Sequence, residues 1–512
     1  MTRLDFVRKL YNGRNCYSDH MSDQELSLLR IKSRVEDIIV DLISKGKIVF
    51  LTGNPGDGKT FIIKALKNAI AQYNAYVQTD LNNVADYNSI AKDLIHCYQH
   101  KRSAVIAVNE YPFLQLLRCI KENSLSLYQE IQTVKKQIIA YGASCPLASP
   151  VAIIDLNERN LLGAEYGLLE ELLSKTTQLL REDPMHNPML AENLTALENP
   201  DIRKQLLVLF EYAASDCEHF AIRDILGAIA YMLTACTLED STDLPYYCAL
   251  FEGSNELLHV IQQYDPLQLT IPELDERLWN GEIVDGWLRN APVHFPVEYQ
   301  DVDKALDCFR RIKRKYFFEN VHGKDLVELY PEEVVKSKRV FIEFEAHKKR
   351  IKESLILAIN KLFLPSSTDK KRLHIWTTHR LDISIEAAVA VSSKAVDSSA
   401  LDIQMPRPAD WLMGLEYAPN HIILKPREAQ EPRLVIDIDF YRTLHAVEHG
   451  YPVNMLAPHY EQAAALFLQQ LSNDGFADDN DDGEIMIASR NQSYKKTVYI
   501  VDGKYGFGEE EY

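Results

Sequence analysis

The sequence lacks the long apolar runs and the paired cysteines that mark membrane-spanning or secreted proteins. None of its apolar stretches reaches the roughly 18 uninterrupted residues that a membrane-spanning helix needs. Its first residues lack the apolar centre of a signal peptide. The eight cysteines are scattered without a Cys-x-x-Cys pair, which argues against structural zinc and against a disulfide framework. These absences predict a protein of the reducing cytoplasm that has no membrane partner.

The balance of charges excludes a further class, because acidic residues outnumber basic ones. The 512 residues carry a net charge of −18, with 46% hydrophobic and 25% charged residues. Such a chain has the composition of a globular protein of several domains, and its acidity argues against general nucleic-acid binding. Basic residues nevertheless gather between residues 310 and 380, where 18 Lys and Arg accompany 9 Asp and Glu.

One glycine-rich stretch matches the pattern G-x-x-x-x-G-K-[ST], which cradles nucleotide phosphates. Its glycines allow backbone angles that a Cβ would forbid, so that N–H groups can point at a phosphate. The lysine brings a charge to the β- and γ-phosphates, and the threonine hydroxyl is a ligand for Mg²⁺. Since no guanine-reading Asn-Lys-x-Asp occurs, the pattern favours ATP with Mg²⁺. The residues of this stretch are Gly53, Asn54, Pro55, Gly56, Asp57, Gly58, Lys59 and Thr60.

The segments around this stretch predict an α/β fold. An apolar run before it indicates a buried strand, and apolar residues after it recur at helical spacing. Strands alternating with helices predict a parallel sheet with helices on both faces. We therefore expect an N-terminal helical segment at 1–45 and a P-loop NTPase core at 46–182. Further strands of this core are predicted at 76–81, 103–110 and 150–158, with one helix over 112–141 and another over 160–181.

Polar residues follow two of these strands, at the edge where parallel sheets collect their chemistry. In one register Asn109 lies beside the magnesium, Glu110 activates the attacking water, and Asn157 is a polar sensor of the phosphate. In the other register Asp155 is the acid beside the magnesium, with Glu158 close to it. A third interpretation is that these residues only face solvent.

The residues after the core predict a helical lid over 183–245, with helices at 202–214 and 222–238. Arg223 stands at the start of the second helix, where a basic residue can reach the γ-phosphate. Pairing of Arg223 with Asp224 is the ordinary alternative.

The rest of the chain, 246–512, predicts an α+β region with room for two subdomains. Proline and asparagine turn signals indicate irregular connections at 183–200 and 240–300. We expect a helix over 348–363 and strands at 339–344, 374–378, 387–391, 421–424, 434–438, 484–488 and 497–501, the last two forming a hairpin.

Aromatic residues are interleaved with the basic residues between 310 and 380. A positive surface with aromatic neighbours suits a phosphate backbone and stacked bases, so DNA is one hypothetical partner. The alternative is that the basic residues pair with acidic residues of this chain or of a partner subunit. The aromatic residues are Tyr316, Phe317, Phe318, Phe341 and Trp376.

On these residues the N-terminal half resembles AAA-type P-loop ATPases, and among them the ATPase subunit of phosphorothioation-dependent DNA restriction systems of bacterial antiviral defence. The resemblance rests on residues 53–60, 108–110, 221–226 and 310–317. It implies ATP hydrolysis, partner subunits of a defence complex and a role near DNA, and it leaves a homo-oligomer open. Asn109 replaces the family's Asp, which favours the alternative of a slowly hydrolysing regulatory or scaffold protein.

Overall fold

The computed structural model divides the chain into two compact units. The first contains residues 1–140, 144–330 and 408–418, and the second contains 141–143, 331–407 and 419–512. The first unit thus extends past residue 246, where the sequence placed the start of the C-terminal region. The residues that the structure describes are 2–11, 21–82, 84, 86–140, 144–163, 168–182, 187–214, 219–235, 244–280, 302–319, 340–341, 343–376, 389–417, 419–480, 484–489 and 495–510.

A four-stranded parallel sheet forms the centre of the first unit. Its strands run in the order β2-β3-β1-β5, so that β1 lies between β3 and β5. Successive residues of β1, β3 and β5 are buried, which shows that both faces of the sheet are covered. The predicted α/β core with a parallel sheet is confirmed. The strands are β1 (Ile48–Thr52), β2 (Tyr76–Gln78), β3 (Ala104–Ala107) and β5 (Val151–Asp155), and a short β4 (Ile139–Ala140) lies outside this sheet.

Helices pack around this sheet and also form a second hydrophobic core of their own. Side chains of α3, α4, α6, α7 and α8 bury the sheet, whereas α1 packs with α9 to α16. These helices are α1 (Arg3–Tyr11), α2 (Asp23–Leu28), α3 (Arg34–Ser44), α4 (Lys59–Ala65), α5 (Lys67–Gln72), α6 (Tyr87–Gln99), α7 (Glu110–Asn123), α8 (Leu125–Lys135), α9 (Leu169–Arg181), α10 (Pro188–Ala196), α11 (Pro200–Ala214), α12 (Ile222–Thr234), α13 (Tyr246–Ala249), α14 (Glu256–Gln262), α15 (Pro272–Trp279) and α16 (Val302–Glu319).

Several predicted helices differ from the structure in their bounds; the helix expected over 222–238, for example, ends at Thr234. The single helix expected over 112–141 is two helices, α7 and α8. Ser124 separates them with an extended backbone, and its hydroxyl accepts a hydrogen bond from the N–H of Leu127. This serine is a helix cap, which ends one helix and begins the next. The helix expected over 160–181 begins only at Leu169.

The irregular connections expected at 183–200 and 240–300 contain helices, so that part of the prediction is wrong. The residues read as turn signals are helix starts: Asn187 caps α10, and Pro188 is its first residue. Pro272 begins α15 in the same way. Proline suits this position because the first helical N–H needs no partner within the helix. Residues 183–186 and 281–300 lie outside the described part of the chain.

The described residues of the second unit form three α-helices of a full turn or more together with antiparallel sheets, as expected of an α+β region. The sheet orders are β12-β11-β9, β13-β8-β6 and β16-β15-β14-β7, and the expected terminal hairpin is β14 with β15. The chain passes between the two units at β10 (Arg407–Pro408). The elements are α17 (Phe344–Phe363), α18 (Ile438–Glu448), α19 (Pro458–Asn473), β6 (Arg372–His374), β7 (Val389–Ser392), β8 (Lys394–Asp397), β9 (Leu401–Gln404), β11 (His421–Pro426), β12 (Leu434–Asp437), β13 (Asp478–Asp479), β14 (Ile485–Ser489), β15 (Lys495–Val501) and β16 (Lys504–Glu510).

The strand expected at 339–344 is wrong. Val340 and Phe341 are helical, and Phe344 begins α17. Phe341 and Phe344 are three residues apart and both belong to the core of the second unit, which is helical rather than alternating spacing. Among the helices of the described residues, none is both long enough and apolar enough to cross a bilayer.

Candidate functional site

The glycine-rich stretch 53–60 forms the connection from β1 to α4, at the carboxyl edge of the sheet. Gly53, Gly56 and Gly58 have φ values of 142°, 107° and 83°, which side chains with a Cβ rarely adopt. A Cβ added to Gly53 would lie 2.6 Å from the Oδ2 atom of Asp57. The loop therefore requires glycine at these positions, as its sequence pattern predicts.

Lys59 is the first residue of α4, and its side chain turns back into the loop. Its Nζ atom donates hydrogen bonds of 2.7 Å to the carbonyl oxygens of Gly53 and Asn54. Burial lowers the pKa of Lys59 to about 8, against the opposing attraction of three carboxylates. The loop thus binds the ammonium group of Lys59 through two neutral carbonyl acceptors. An anionic ligand would be a stronger acceptor for the same group. The carboxylates are those of Asp57, Asp155 and Asp80.

Asp57 joins the loop to a residue far along the chain. Its side chain is only 2% exposed, and one of its oxygens accepts a hydrogen bond of 2.6 Å from the N–H of Asn54. The other oxygen lies 2.7 Å from Nε2 of His219, whose Nδ1 is 3.3 Å from the carbonyl oxygen of Arg159. Burial by itself lowers the pKa of His219, but the hydrogen bond and charge of Asp57 raise it above its ordinary value. Both ring nitrogens face acceptors, which favours the protonated imidazolium.

Arg223 lies beside the loop, as expected of the candidate for contact with the γ-phosphate. Its backbone N–H donates a hydrogen bond of 3.4 Å to the carbonyl oxygen of Gly56. Its guanidinium Nε is 3.8 Å from a carboxylate oxygen of Asp224. Arg223 also lines a cavity that adjoins the loop. The structure therefore brings Arg223 to the loop and also contains the pairing with Asp224.

The carboxyl end of β5 touches the loop. The side-chain oxygen of Asn157 accepts a hydrogen bond of 3.1 Å from the N–H of Asn54. Asp155 pairs with Thr52 in the sheet, and its carboxylate accepts a hydrogen bond of 3.1 Å from the N–H of Asn157. Burial, followed by repulsion from Asp155, raises the pKa of Glu158. Sequence reasoning correctly places this strand end at the loop.

Asn109 and Glu110 follow β3 and form one motif in the sequence, but they lie in different environments in the structure. Asn109 lines the cavity, donates a hydrogen bond of 3.1 Å to Asn82, and has a buried Oδ1 without a hydrogen-bond partner among the described residues. Glu110 is the first residue of α7 and is exposed, outside the cavity wall.

Sequence reasoning missed two residues at this site, His219 and Asp80. Asp80 lines the cavity just beyond β2. Its position after an apolar strand is a signal that could have identified it. No local pattern marks His219, because its partner Asp57 is 162 residues away in the sequence.

The residues around the loop offer some of the ligands that a magnesium ion needs, and a bound phosphate would supply others. Among the described residues there is no group of three or more His, Cys, Asp and Glu that could hold a metal by themselves. Thr60 and Asn109 both line the cavity and offer oxygen atoms, which Mg²⁺ prefers. The unpartnered Oδ1 of Asn109 lacks a hydrogen-bond donor, which a water bound to such an ion would supply.

A cavity of about 200 Å³ adjoins the loop. The loop and polar residues that follow β2 and β3 contribute to its lining. Apolar residues from the N-terminal part of the chain and from α9 and α12 also line it, as do the polar residues Ser33, Glu36 and Arg159. The apolar side chains include Leu10, Leu26, Leu29, Leu172, Ile222 and Leu226.

Three consecutive basic residues of α16 form ion pairs within the first unit and are buried. Arg314 lies 2.7 Å from carboxylate oxygens of both Asp265 and Glu252. Lys313 is 2.7 Å from Asp275, and Lys315 is 3.3 Å from Glu319. For these three residues the alternative of pairing with acidic residues of this chain is confirmed. The five residues proposed to stack on DNA bases cannot do so as placed, because all are nearly buried: Tyr316, Phe317, Phe318, Phe341 and Trp376.

No protein-family model, no curated protein and no solved structure matches this chain. The resemblance to AAA-type ATPases of DNA restriction systems therefore stays a prediction from the sequence.

Proposed function

We propose that this chain binds ATP with Mg²⁺ at the loop of residues 53–60 and hydrolyses it. The observation that carries this proposal is the placement of Lys59 inside the loop, on the carbonyl oxygens of Gly53 and Asn54. A phosphate oxygen would replace these neutral acceptors with a charged one. The first N–H groups of α4 and the positive end of its dipole favour the same anion.

The apolar side of the cavity supports binding of the nucleoside part. A planar base gains from burial against aliphatic side chains, while the phosphates remain at the polar loop. Leu26 and Leu29 from the N-terminal helices and Leu226 from α12 offer such a surface. The cavity is thus lined both by polar groups of the loop and by apolar side chains, the two kinds of surface that a nucleotide contacts.

Magnesium would be held by the hydroxyl of Thr60 and, through bound water, by the side chain of Asn109. The ion neutralises phosphate charge when it is bound. Asn109 adds no charge of its own, but the carboxylate of Asp80 also lines the cavity and would attract the hydrated cation.

Hydrolysis requires a group that orients a water molecule and a group that stabilises the charge on the phosphate. Arg223 is our proposal for the second role, because it lines the cavity beside the loop. For the first role, Glu110 after β3 and the pair of Asp155 and Glu158 after β5 remain two alternatives.

A second candidate function is a switch that binds ATP and hydrolyses it slowly. Two observations favour it: Asn109 is neutral, and Glu110 lies outside the cavity wall. Partner subunits and a DNA-directed defence role are further proposals, which rest only on the resemblance of the sequence. Phosphate release measured with and without DNA distinguishes an ATPase that DNA stimulates from a slow switch.

Lys59→Ala tests the binding proposal. Loss of the cation in the loop should weaken ATP binding at least tenfold, which corresponds to about 1.4 kcal/mol. Titration calorimetry with a non-hydrolysable ATP analogue measures this change, and thermal unfolding checks that the variant folds. Lys64→Ala is the matched control, since Lys64 belongs to the same helix but is exposed. A folded Lys59→Ala protein that keeps the parent's affinity would contradict the proposal.

A further inference from the structure

We infer that Glu36 selects the base of the nucleotide by accepting a hydrogen bond from the 6-amino group of adenine. The inference rests on the proposed function and names the specificity residue of the same cavity. Glu36 is in the first turn of α3, only 3% of its surface is exposed, and it lines the cavity together with the loop residues Gly58 and Thr60.

The carboxylate of Glu36 has one oxygen with a partner and one without. Its Oε2 atom accepts a hydrogen bond of 3.4 Å from Arg30. Its Oε1 atom is buried and has no hydrogen-bond partner among the described residues. A buried polar atom without a partner costs roughly 1–3 kcal/mol, and more where it is charged. A ligand that donates a hydrogen bond to Oε1 would remove this cost.

Two other polar residues that line the cavity, Ser33 and Arg159, already have hydrogen-bond partners. Arg159, which lines the same cavity, donates to Glu416 at 2.7 Å and to Ser33 at 3.4 Å. Glu36 therefore offers an unused acceptor in a cavity wall that also carries aliphatic side chains. One acceptor in such a wall is able to discriminate between ligands, because a ligand without the donor leaves it unpaired.

A carboxylate acceptor suits a base that presents a donor to it. An ionised carboxylate only accepts hydrogen bonds, and the 6-amino group of adenine donates them. Purine riboside triphosphate carries only a hydrogen at this position. Guanine carries an oxygen there and donates instead from N1–H and its 2-amino group, which requires a different orientation of the base. We assign adenine because the proposed function is ATP binding, and GTP is the competing ligand in the test.

The test uses the full-length protein and three nucleotides: ATP, purine riboside triphosphate and GTP. We expect the parent protein to bind ATP at least about tenfold more tightly than purine riboside triphosphate, as the loss of one hydrogen bond to a charged acceptor predicts. Glu36→Met, which keeps the size of the side chain without an acceptor, should bind these two nucleotides with similar affinity. Asp37→Asn is the control, because Asp37 is the next residue of α3 and is exposed, and it should keep the preference.

The possible results separate this inference from the proposed function. Equal affinity of the parent for ATP and purine riboside triphosphate, or a preference for GTP, would overturn the role of Glu36 and leave triphosphate binding standing. Absence of binding by all three nucleotides would overturn both. If Glu36→Met does not fold, Glu36→Leu, which also lacks an acceptor, replaces it, and retention of the parent's full preference in that variant would also count against the role of Glu36.

Discussion

At the scale of single residues, the loop depends on charges that are held out of water. Lys59 is bound to two loop carbonyls, and Asp57 connects the N–H of Asn54 to His219. These contacts shape the loop before a ligand arrives, which reduces the ordering that binding must produce. The same burial makes the charge of Lys59 sensitive to pH.

We predict that the affinity for ATP falls as the pH rises through about 8. Burial lowers the pKa of Lys59 to about 8 in the free protein. A bound triphosphate raises this pKa again, so binding takes up a proton above about pH 8 and none below it. Titration calorimetry from about pH 7 to 9.5 should show a loss approaching tenfold per unit above pH 8.

Lys59→Arg is the matched control for this pH dependence. Arginine stays charged throughout this pH range, so any affinity that the variant retains should vary little with pH. A parent protein whose affinity is the same at pH 7 and pH 9.5 would contradict a depressed pKa for Lys59.

At the scale of elements, the central question is which strand end orients the attacking water. β3 and β5 flank β1 on opposite sides, so both strand ends approach the loop. The end of β5 contacts the loop through Asn157, whereas Glu110 after β3 is exposed. The end of β5 thus contacts the loop directly, whereas Glu110 does not. Assignment of the water-orienting group to β3 or to β5 stays open.

Two neutral substitutions distinguish these alternatives. The variant that removes the water-orienting carboxylate should bind ATP normally and lose at least about 100-fold in turnover, because only the transition state needs that group. Phosphate release and binding of an ATP analogue are measured for Glu110→Gln and Asp155→Asn. Loss of turnover in Glu110→Gln alone assigns the role to β3, and loss in Asp155→Asn alone assigns the role to β5. Full turnover in both variants would exclude Glu110 and Asp155 from this role.

The helix α16 shows why a basic sequence does not establish a basic surface. Residues Lys313, Arg314 and Lys315 are consecutive, yet each has an acidic partner within the first unit. Burial of a charge is tolerated only with such partners. These cations and the neighbouring aromatic residues are therefore not available as a contact surface for DNA.

At the scale of the whole molecule, residues 408–418 belong to the first unit, although they follow residues of the second unit in the sequence. Leu412 and Leu415 are buried in the same core as the parallel sheet. Glu416 pairs with Arg159 at 2.7 Å, with side-chain exposures of 4% and 1%. The first unit is therefore completed only after most of the chain is present.

We predict that Glu416→Ala destabilises the protein by about 3–5 kcal/mol, because it leaves the charge of Arg159 buried without its carboxylate partner. Urea denaturation of the full-length protein should show a lower midpoint for this variant. Glu428→Ala is the control, since Glu428 is exposed and its replacement should change stability by less than about 0.5 kcal/mol. An unchanged midpoint in Glu416→Ala would contradict a structural role for the ion pair.

Local sequence patterns suffice for the glycine-rich loop between β1 and α4, for the buried parallel strands and for most of the helices around them, because glycine conformations and apolar periodicity act over a few residues. Long-range pairings needed the folded chain. Asp57 meets His219 across 162 residues, and Arg159 meets Glu416 across 257. The unpartnered oxygen of Glu36 and the burial of the α16 cations belong to the same class. A charge has no preferred partner in its own sequence neighbourhood, and only packing decides which opposite charge or ligand it meets.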